Sequence, residues 1–201
     1  MRSDRSPIRR TLILGSSSRY RRELLQRLGL PFTVESPDLD ESQLPGEVPR
    51  DLALRLALAK AHAVAARHPQ SLVIGSDQVA DLAGTPLGKP GTHEKATAQL
   101  RRMRGQEVVF QTAVAVVCHE TGFAQAELAA VRVRFRDLSD GEIEHYLRTE
   151  QPYDCAGSAK SEGLGIALLA SIDNDDPTAL IGLPLIRTVS LLRAAGLEVL
   201  A

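Results

Sequence analysis

The sequence predicts an α/β fold, a mixed twisted sheet flanked by helices. Across the first half, short apolar runs alternate with segments of helical period. Residues 107–139, "EVVFQTAVAVVCHETGFAQAELAAVRVRFRDLS", read as two long antiparallel strands folded back at "HETG", which a regular doubly wound fold does not contain. The chain has 201 residues, 43% of them hydrophobic, enough for a real core within a single domain over 11–201.

Each element has a local signal. "TLILG" (11–15) is a short buried strand, and Tyr20 to Leu28 a helix stopped by Gly29. Residues 31–50 carry four prolines and several acids and read as a loop or irregular strand. "RDLALRLALAKAHAVAARH" is a long Ala/Leu-rich helix with Asp51 as candidate N-cap and Pro69 as its stop. "SLVIGSDQVADLAG" starts as a fully apolar strand and then turns polar. Thr92 caps the next helix, which ends at Gly105. In "VRVRFR", Val131, Val133 and Phe135 share one face. Ser139 and Glu142 form a capping box for a helix running through Tyr146 and Leu147. After "YDCAGSAKSEGLG" come a strand, "IALLASI", an acidic turn, "DNDDPTAL", and a last helix from Pro184 to Ala195 closed by Gly196. The first ten residues, "MRSDRSPIRR", are charged, lack the apolar stretch of a signal peptide and read as a flexible extension.

Bulk properties narrow the function classes. The net charge is −1, so nucleic acid and anionic membranes are not expected partners, and any anion site must be local. Aromatic residues make up only 3% and Trp is absent, against a stacking platform for single strands. Cys118 and Cys155 form no CxxC pair, as expected of a reduced chain. No apolar run approaches the roughly 20 residues that span a bilayer. These features together predict a cytoplasmic protein.

Several groups carry chemistry. Ser16, Ser17 and Ser18 place hydroxyls and backbone N–H groups where a helix begins, with Arg21 and Arg22 one turn in, an arrangement that suits a phosphate. A capped helix with solvated arginines would read the same way. "PDLDE" crowds Asp38, Asp40 and Glu41 after a proline, as a divalent metal site or as a solvated acidic loop. Asp77 and Gln78 follow Ser76 at the point where the strand turns polar. An aspartate so placed is a general base, a metal ligand or a turn cap. Lys60 sits in an apolar helix stripe and Lys89 in a loop stiffened by Pro86 and Pro90; both also read as surface lysines. "CAGSAKSEGLG" surrounds Lys160 and Glu162 with small residues that permit close backbone approach to a ligand. Together they are the parts of metal-assisted phosphoanhydride hydrolysis. The Walker A, GxGxxG, HExxH and GxSxG patterns are absent from the sequence.

The ordered motifs "LGSSSRYRRELL", "DLDE", "ALAKA", "IGSDQV", "GKP", "CAGSAKSEGLGI" and "IGLPLI" closely resemble the Maf family of nucleotide pyrophosphatases, over nearly the whole chain. "SDQV" and "CAGSAKSEG" resemble the branch that acts on 7-methyl-GTP rather than the dTTP/UTP branch. The resemblance implies an inosine triphosphatase-like α/β sheet split by a central cleft, usually in a homodimer. It implies Asp77 as general base, Glu41 with Asp40 as holders of Mg²⁺ or Mn²⁺, and Ser16, Ser18, Arg21, Lys60 and Lys89 as triphosphate ligands. Tyr20, Gln78 and Glu162 would set the base preference. Tyr20 offers a ring face to the positively charged 7-methylguanine, and Glu162 an acceptor for its N–H groups. Alternatives are a pyrophosphatase for another base, or a nucleotide-binding regulator of septum formation. The chain departs from the family pattern at Arg19, where proline is usual, and at Ala159, where this branch has phenylalanine.

Overall fold

The computed structural model describes residues 10–200. Most of the N-terminal extension read from the sequence, residues 1–9, lies outside them; Arg10 is described and pairs with Glu120 at 2.8 Å. The elements follow in the order β1 (Leu12–Gly15), α1 (Arg19–Gln26), β2 (Phe32–Glu35), α2 (Pro49–Ala65), β3 (Leu72–Leu82), β4 (Thr85–Leu87) and α3 (His93–Met103). Then come β5 (Glu107–Cys118), β6 (Phe123–Phe135), α4 (Asp140–Glu150), β7 (Leu169–Asp173) and α5 (Leu185–Ala194). The seven strands form one mixed sheet in the order β2-β1-β3-β5-β6-β7, with β4 paired to β3. β1 runs parallel to β2 and β3, and the other pairs are antiparallel. The expected mixed α/β class therefore holds, including the long β5–β6 hairpin.

Local differences from the sequence reading have plain causes. Within 31–50, Phe32–Glu35 forms a parallel edge strand on β1. α2 begins at Pro49 with Val48 as its N-cap, so Asp51 lies in the first turn. Proline suits that position, since its φ is helical and its missing N–H would have had no partner. β4, not expected, is folded back on β3 by Ala83 and Gly84, both at positive φ (50° and 84°). Residues 164–168 make a 3₁₀ turn, so the following strand starts only at Leu169. The capping box at Ser139 and Glu142 and the cap at Thr92 form as read.

β3 is buried on both faces, and its side chains alternate between two packing layers. Val73 and Val79 pack on α2. Leu72 and Ile74 pack with Leu24 and Leu25 of α1 and with Leu191 and Leu192 of α5, whereas Ala80 joins a separate cluster with α3 and α4. Two glycines, Gly15 and Gly75, lie opposite one another in register. A Cβ on Gly75 would come within 2.2 Å of the Ala57 carbonyl oxygen and 2.6 Å of the Ala61 nitrogen. The missing side chains let α2 lie almost on the strands, which brings Lys60 to the sheet.

Candidate active site

β1 ends at Gly15, opposite Gly75, and β4 does not begin to pair with β3 until Ala80. Along that edge of β3, residues Ser76–Val79 have no strand beside them. Side chains from both faces of β3 therefore reach one opening, a cleft of about 670 Å³ lined by Asp77 and Gln78 together with residues from α1, α2 and the loop after α4.

On the α2 side stands a buried charge cluster. Lys60 Nζ donates to Asp77 Oδ1 at 2.7 Å and to Glu41 Oε2 at 2.8 Å. Lys60 and Asp77 are only 5% and 7% exposed, whereas the Glu41 side chain is 54% exposed and faces solvent. One ammonium thus holds two carboxylates toward the same point. The loop that delivers Glu41 is tied down by Arg55, which donates to both Glu47 oxygens (2.6 and 2.8 Å) and to the Ser42 carbonyl. Arg55 brings the Glu47 carboxyl down to about 2. Asp40 is not part of the cleft wall. Its Oδ1 accepts from the Ser42 N–H and hydroxyl at 2.9 and 2.6 Å, closing a local turn that also lowers its pKa. Asp38 is likewise exposed and outside the wall.

The start of α1 forms the neighbouring wall. Ser18 is its N-cap and accepts from the Arg21 N–H, while Ser16 Oγ accepts from the Ser18 N–H at 3.2 Å. Both hydroxyls keep their proton free to donate. Arg21 is anchored by Nε to the Gly182 carbonyl at 2.8 Å and reaches Ser16 Oγ at 3.4 Å, and its desolvation lowers the guanidinium pKa. Arg22 is exposed and outside the wall. Lys89 is exposed at the rim, without a carboxylate partner among the described residues. This wall can meet negative charge with hydroxyls, a helix N-terminus and fixed cations.

Across the cleft the lining becomes suited to a flat polar group. Among the described residues, Tyr20 is the only aromatic one lining it. Gln78 Nε2 donates to Thr112 Oγ1 at 2.9 Å and to the carbonyls of Ala179 and Leu180 at 3.0 Å each. The Thr112 hydroxyl itself donates to the Ala179 carbonyl, so all three partners act as acceptors, which fixes the amide orientation and leaves Oε1 as the free acceptor. Glu162 is exposed at the cleft mouth, yet the surrounding walls desolvate its carboxyl enough to raise its pKa. Its loop is held by Glu150, which accepts from Lys160 Nζ and from the Leu164 N–H at 2.7 Å. Ala159 and Cys155 complete this wall; burial, and then Asp154, push the Cys155 thiol up to about 12.

Of the residues predicted from sequence, Ser16, Ser18, Tyr20, Arg21, Glu41, Lys60, Asp77, Gln78, Lys89 and Glu162 share this cleft, and Asp40 does not. Sequence reasoning missed the role of the 179–182 loop, whose carbonyls hold Arg21, Ser76 and Gln78. The motif "IGLPLI" was its only signal, because backbone carbonyls leave no residue-type trace.

Such an arrangement, an anion-accepting corner continuous with a slot for a planar polar group, defines an α/β protein with a cleft for a phosphorylated ligand. The chain belongs to the Maf family: the model of the Maf-like protein matches residues 11–195. It is 74% identical over 196 residues to the 7-methyl-GTP pyrophosphatase of Polaromonas sp. (strain JS666), spanning 98% of this chain and 90% of that one. It is 69% identical over 194 residues to the protein of the same name from Albidiferax ferrireducens, covering 96% and 98% of the two chains. The corresponding Burkholderia thailandensis protein is 60% identical over 199 residues, covering 98% and 92%.

Proposed function

We propose that this chain hydrolyses 7-methyl-GTP to 7-methyl-GMP and pyrophosphate, removing a modified nucleotide before it enters nucleic acid. The observation that carries the reading is the meeting, along one open strand edge, of Asp77 with the anion-accepting corner of α1 and the acceptors of Gln78 and Glu162. The names of the relatives agree with it. The Gln78 Oε1 and the Glu162 carboxylate are both acceptors, and the guanine edge offers its N1–H and exocyclic amine as donors. Tyr20 adds a ring face for the charged base.

In this reading Ser16, Ser18, Arg21 and Lys89 hold the triphosphate. Asp77 takes a proton from a water, whose oxygen attacks the α-phosphorus while the bond from that phosphorus to the bridging oxygen breaks. Pyrophosphate leaves, and Arg21, Lys60 and Lys89 offset the charge gathering on it. The Glu41–Asp77 pair suits a hard divalent cation, because both are carboxylates directed at one point and substrate phosphates would supply further oxygens. Mg²⁺ or Mn²⁺ held there would neutralise phosphate charge, and Lys60 would then turn toward the phosphates. A homodimer in the cytoplasm is part of the proposal, tested by mass measurement in solution.

The decisive experiment is pyrophosphate release from 7-methyl-GTP, GTP, dTTP, UTP, CTP and ITP, with Mg²⁺ or Mn²⁺ and with chelator. Preference for 7-methyl-GTP, lost on chelation, is expected. Preference for another nucleotide would favour a pyrophosphatase with a different base, a reading that the small Ala159 beside Glu162 keeps in play. Binding without hydrolysis would favour the regulator.

A further inference from the structure

Arg19 stands over Tyr20, the only aromatic ring in the cleft wall among the described residues. Its guanidinium carbon lies 4.7 Å from the Tyr20 ring centroid, and Nη2 donates to the Tyr20 hydroxyl at 2.6 Å. Arg19 and Tyr20 both line the cleft, as does Asp154, whose charge acts on the same guanidinium. The Arg19 side chain is otherwise exposed and sits in the first turn of α1, where no packing fixes it elsewhere.

We propose that Arg19 is a specificity-determining residue, a resident cation that occupies Tyr20 and thereby weakens the cleft's preference for a cationic base over a neutral one. The inference rests on the function proposed above. The attraction of a ring for a cation comes from its quadrupole, and Arg19 already draws on it. A positively charged 7-methylguanine arriving on the same face must displace the guanidinium, and on the opposite face it meets a like charge across the ring. Neutral guanine meets no such repulsion, and an arginine plane also stacks well on neutral rings. Arg19 therefore costs the methylated base more than the unmethylated one. Any contact of Arg19 with the triphosphate is common to both nucleotides and cancels in their ratio.

The test compares wild type with Arg19→Gln, Tyr20→Phe and Tyr20→Leu. Gln keeps helix propensity and removes the charge. Phe keeps the ring but removes the hydroxyl that accepts from Arg19. Calorimetry with 7-methyl-GMP and GMP gives the affinity ratio without turnover, and kcat/KM for 7-methyl-GTP and GTP gives it with turnover. Arg19→Gln is expected to raise the methylated-to-unmethylated ratio about two- to five-fold, the size of one exposed cation–π contact. Tyr20→Phe should raise it in the same direction, and Tyr20→Leu should lower it. An unchanged or lower ratio in Arg19→Gln, in a protein that binds both ligands, overturns this inference and leaves the proposed function standing. A wild-type protein that binds neither overturns both.

Discussion

Asp77→Asn separates the chemical role of Asp77 from its structural one. Removing a general base costs about 10²–10⁴ in rate. The structural cost is smaller and can be worked from the cluster. Lys60 is bonded to Asp77 at 2.7 Å and to Glu41 at 2.8 Å, so with asparagine present the ammonium still has a carboxylate partner. The cluster goes from two negative charges and one positive to one of each. No buried charge is orphaned, so the loss should stay near 1–2 kcal/mol rather than the roughly 3–5 kcal/mol seen when one partner of a buried pair is deleted. In a domain of this size that lowers Tm by about 2–8 °C. Lys60→Met, which leaves two carboxylates facing each other, should fall in the higher range. The assay is pyrophosphate release beside calorimetric binding of 7-methyl-GTP without metal. Asp77→Asn should bind as tightly as wild type or more so, because a negative charge beside the phosphates is gone. Turnover within about three-fold of wild type would refute the general-base role, being far short of the loss expected for that role. A variant that loses binding and turnover together would refute the claim that the fold tolerates the change.

Other substitutions test the scaffold. Gly75→Ala should cost about 1–3 kcal/mol by chemical denaturation, because its Cβ would lie 2.2 Å from the Ala57 carbonyl and α2 would have to move. Since α2 carries Lys60, activity should fall too. Glu150→Gln should loosen the Glu162 loop and raise KM for 7-methyl-GTP more than it lowers kcat. The Glu150 pKa is lowered, first by the hydrogen bond from Lys160. Its stabilising contribution is therefore fully present above the ordinary glutamate value of about 4.3 and lost as pH falls through the lowered value, which acid titration of Tm will show. Glu162 is shifted the other way by desolvation, so base discrimination that needs its carboxylate should decline at a higher pH than for an ordinary glutamate, read from KM against pH. Cys155, with its thiol at about 12, should resist alkylation near neutral pH although it lines the cleft.

How much of this could be read from the sequence depends on whether a feature was written in side chains. The long β5–β6 pair was legible because "VRVRFR" alternates strictly, and Val131, Val133 and Phe135 do lie on one buried face. The helix starts at Thr92 and Ser139 were legible because their caps are side-chain oxygens. β2 was legible only as far as a loop or irregular strand, since Phe32–Glu35 pairs with β1 through its backbone and its side chains are partly buried or exposed. In the cleft, Asp77, Lys60 and Arg21 announced themselves as charged residues among apolar neighbours. Asp40 announced itself equally, and only the turn it makes with Ser42 removes it from the wall. Residue type gives the candidates, and the path of the chain decides between them.

That path depends on where β1 stops. Residues 77 and 78 are neighbours in a strand and must point to opposite faces of the sheet. Were β1 to continue beyond Gly15, Asp77 would sit under α2 and Gln78 under the 179–182 loop, with a strand between them. The chain instead leaves β1 at Gly15 and enters the serine corner, so the edge of β3 stays open and both faces drain into one cleft. Chemistry and recognition can then be assigned to adjacent residues without competing for space. Asp77 is held by Lys60 from one face, and Gln78 is oriented by Thr112 and two carbonyls from the other. A substitution on one face should consequently move kcat with little effect on base preference, and one on the other should do the reverse. Thr112→Val makes that division measurable. It removes a hydroxyl that orients Gln78 and touches nothing near Asp77, so it should lower the ratio of kcat/KM for 7-methyl-GTP to that for CTP, whose base lacks the guanine N1–H, while kcat for 7-methyl-GTP stays within about two-fold, a change of under 1 kcal/mol. Equal losses in both would show that the faces are not independent.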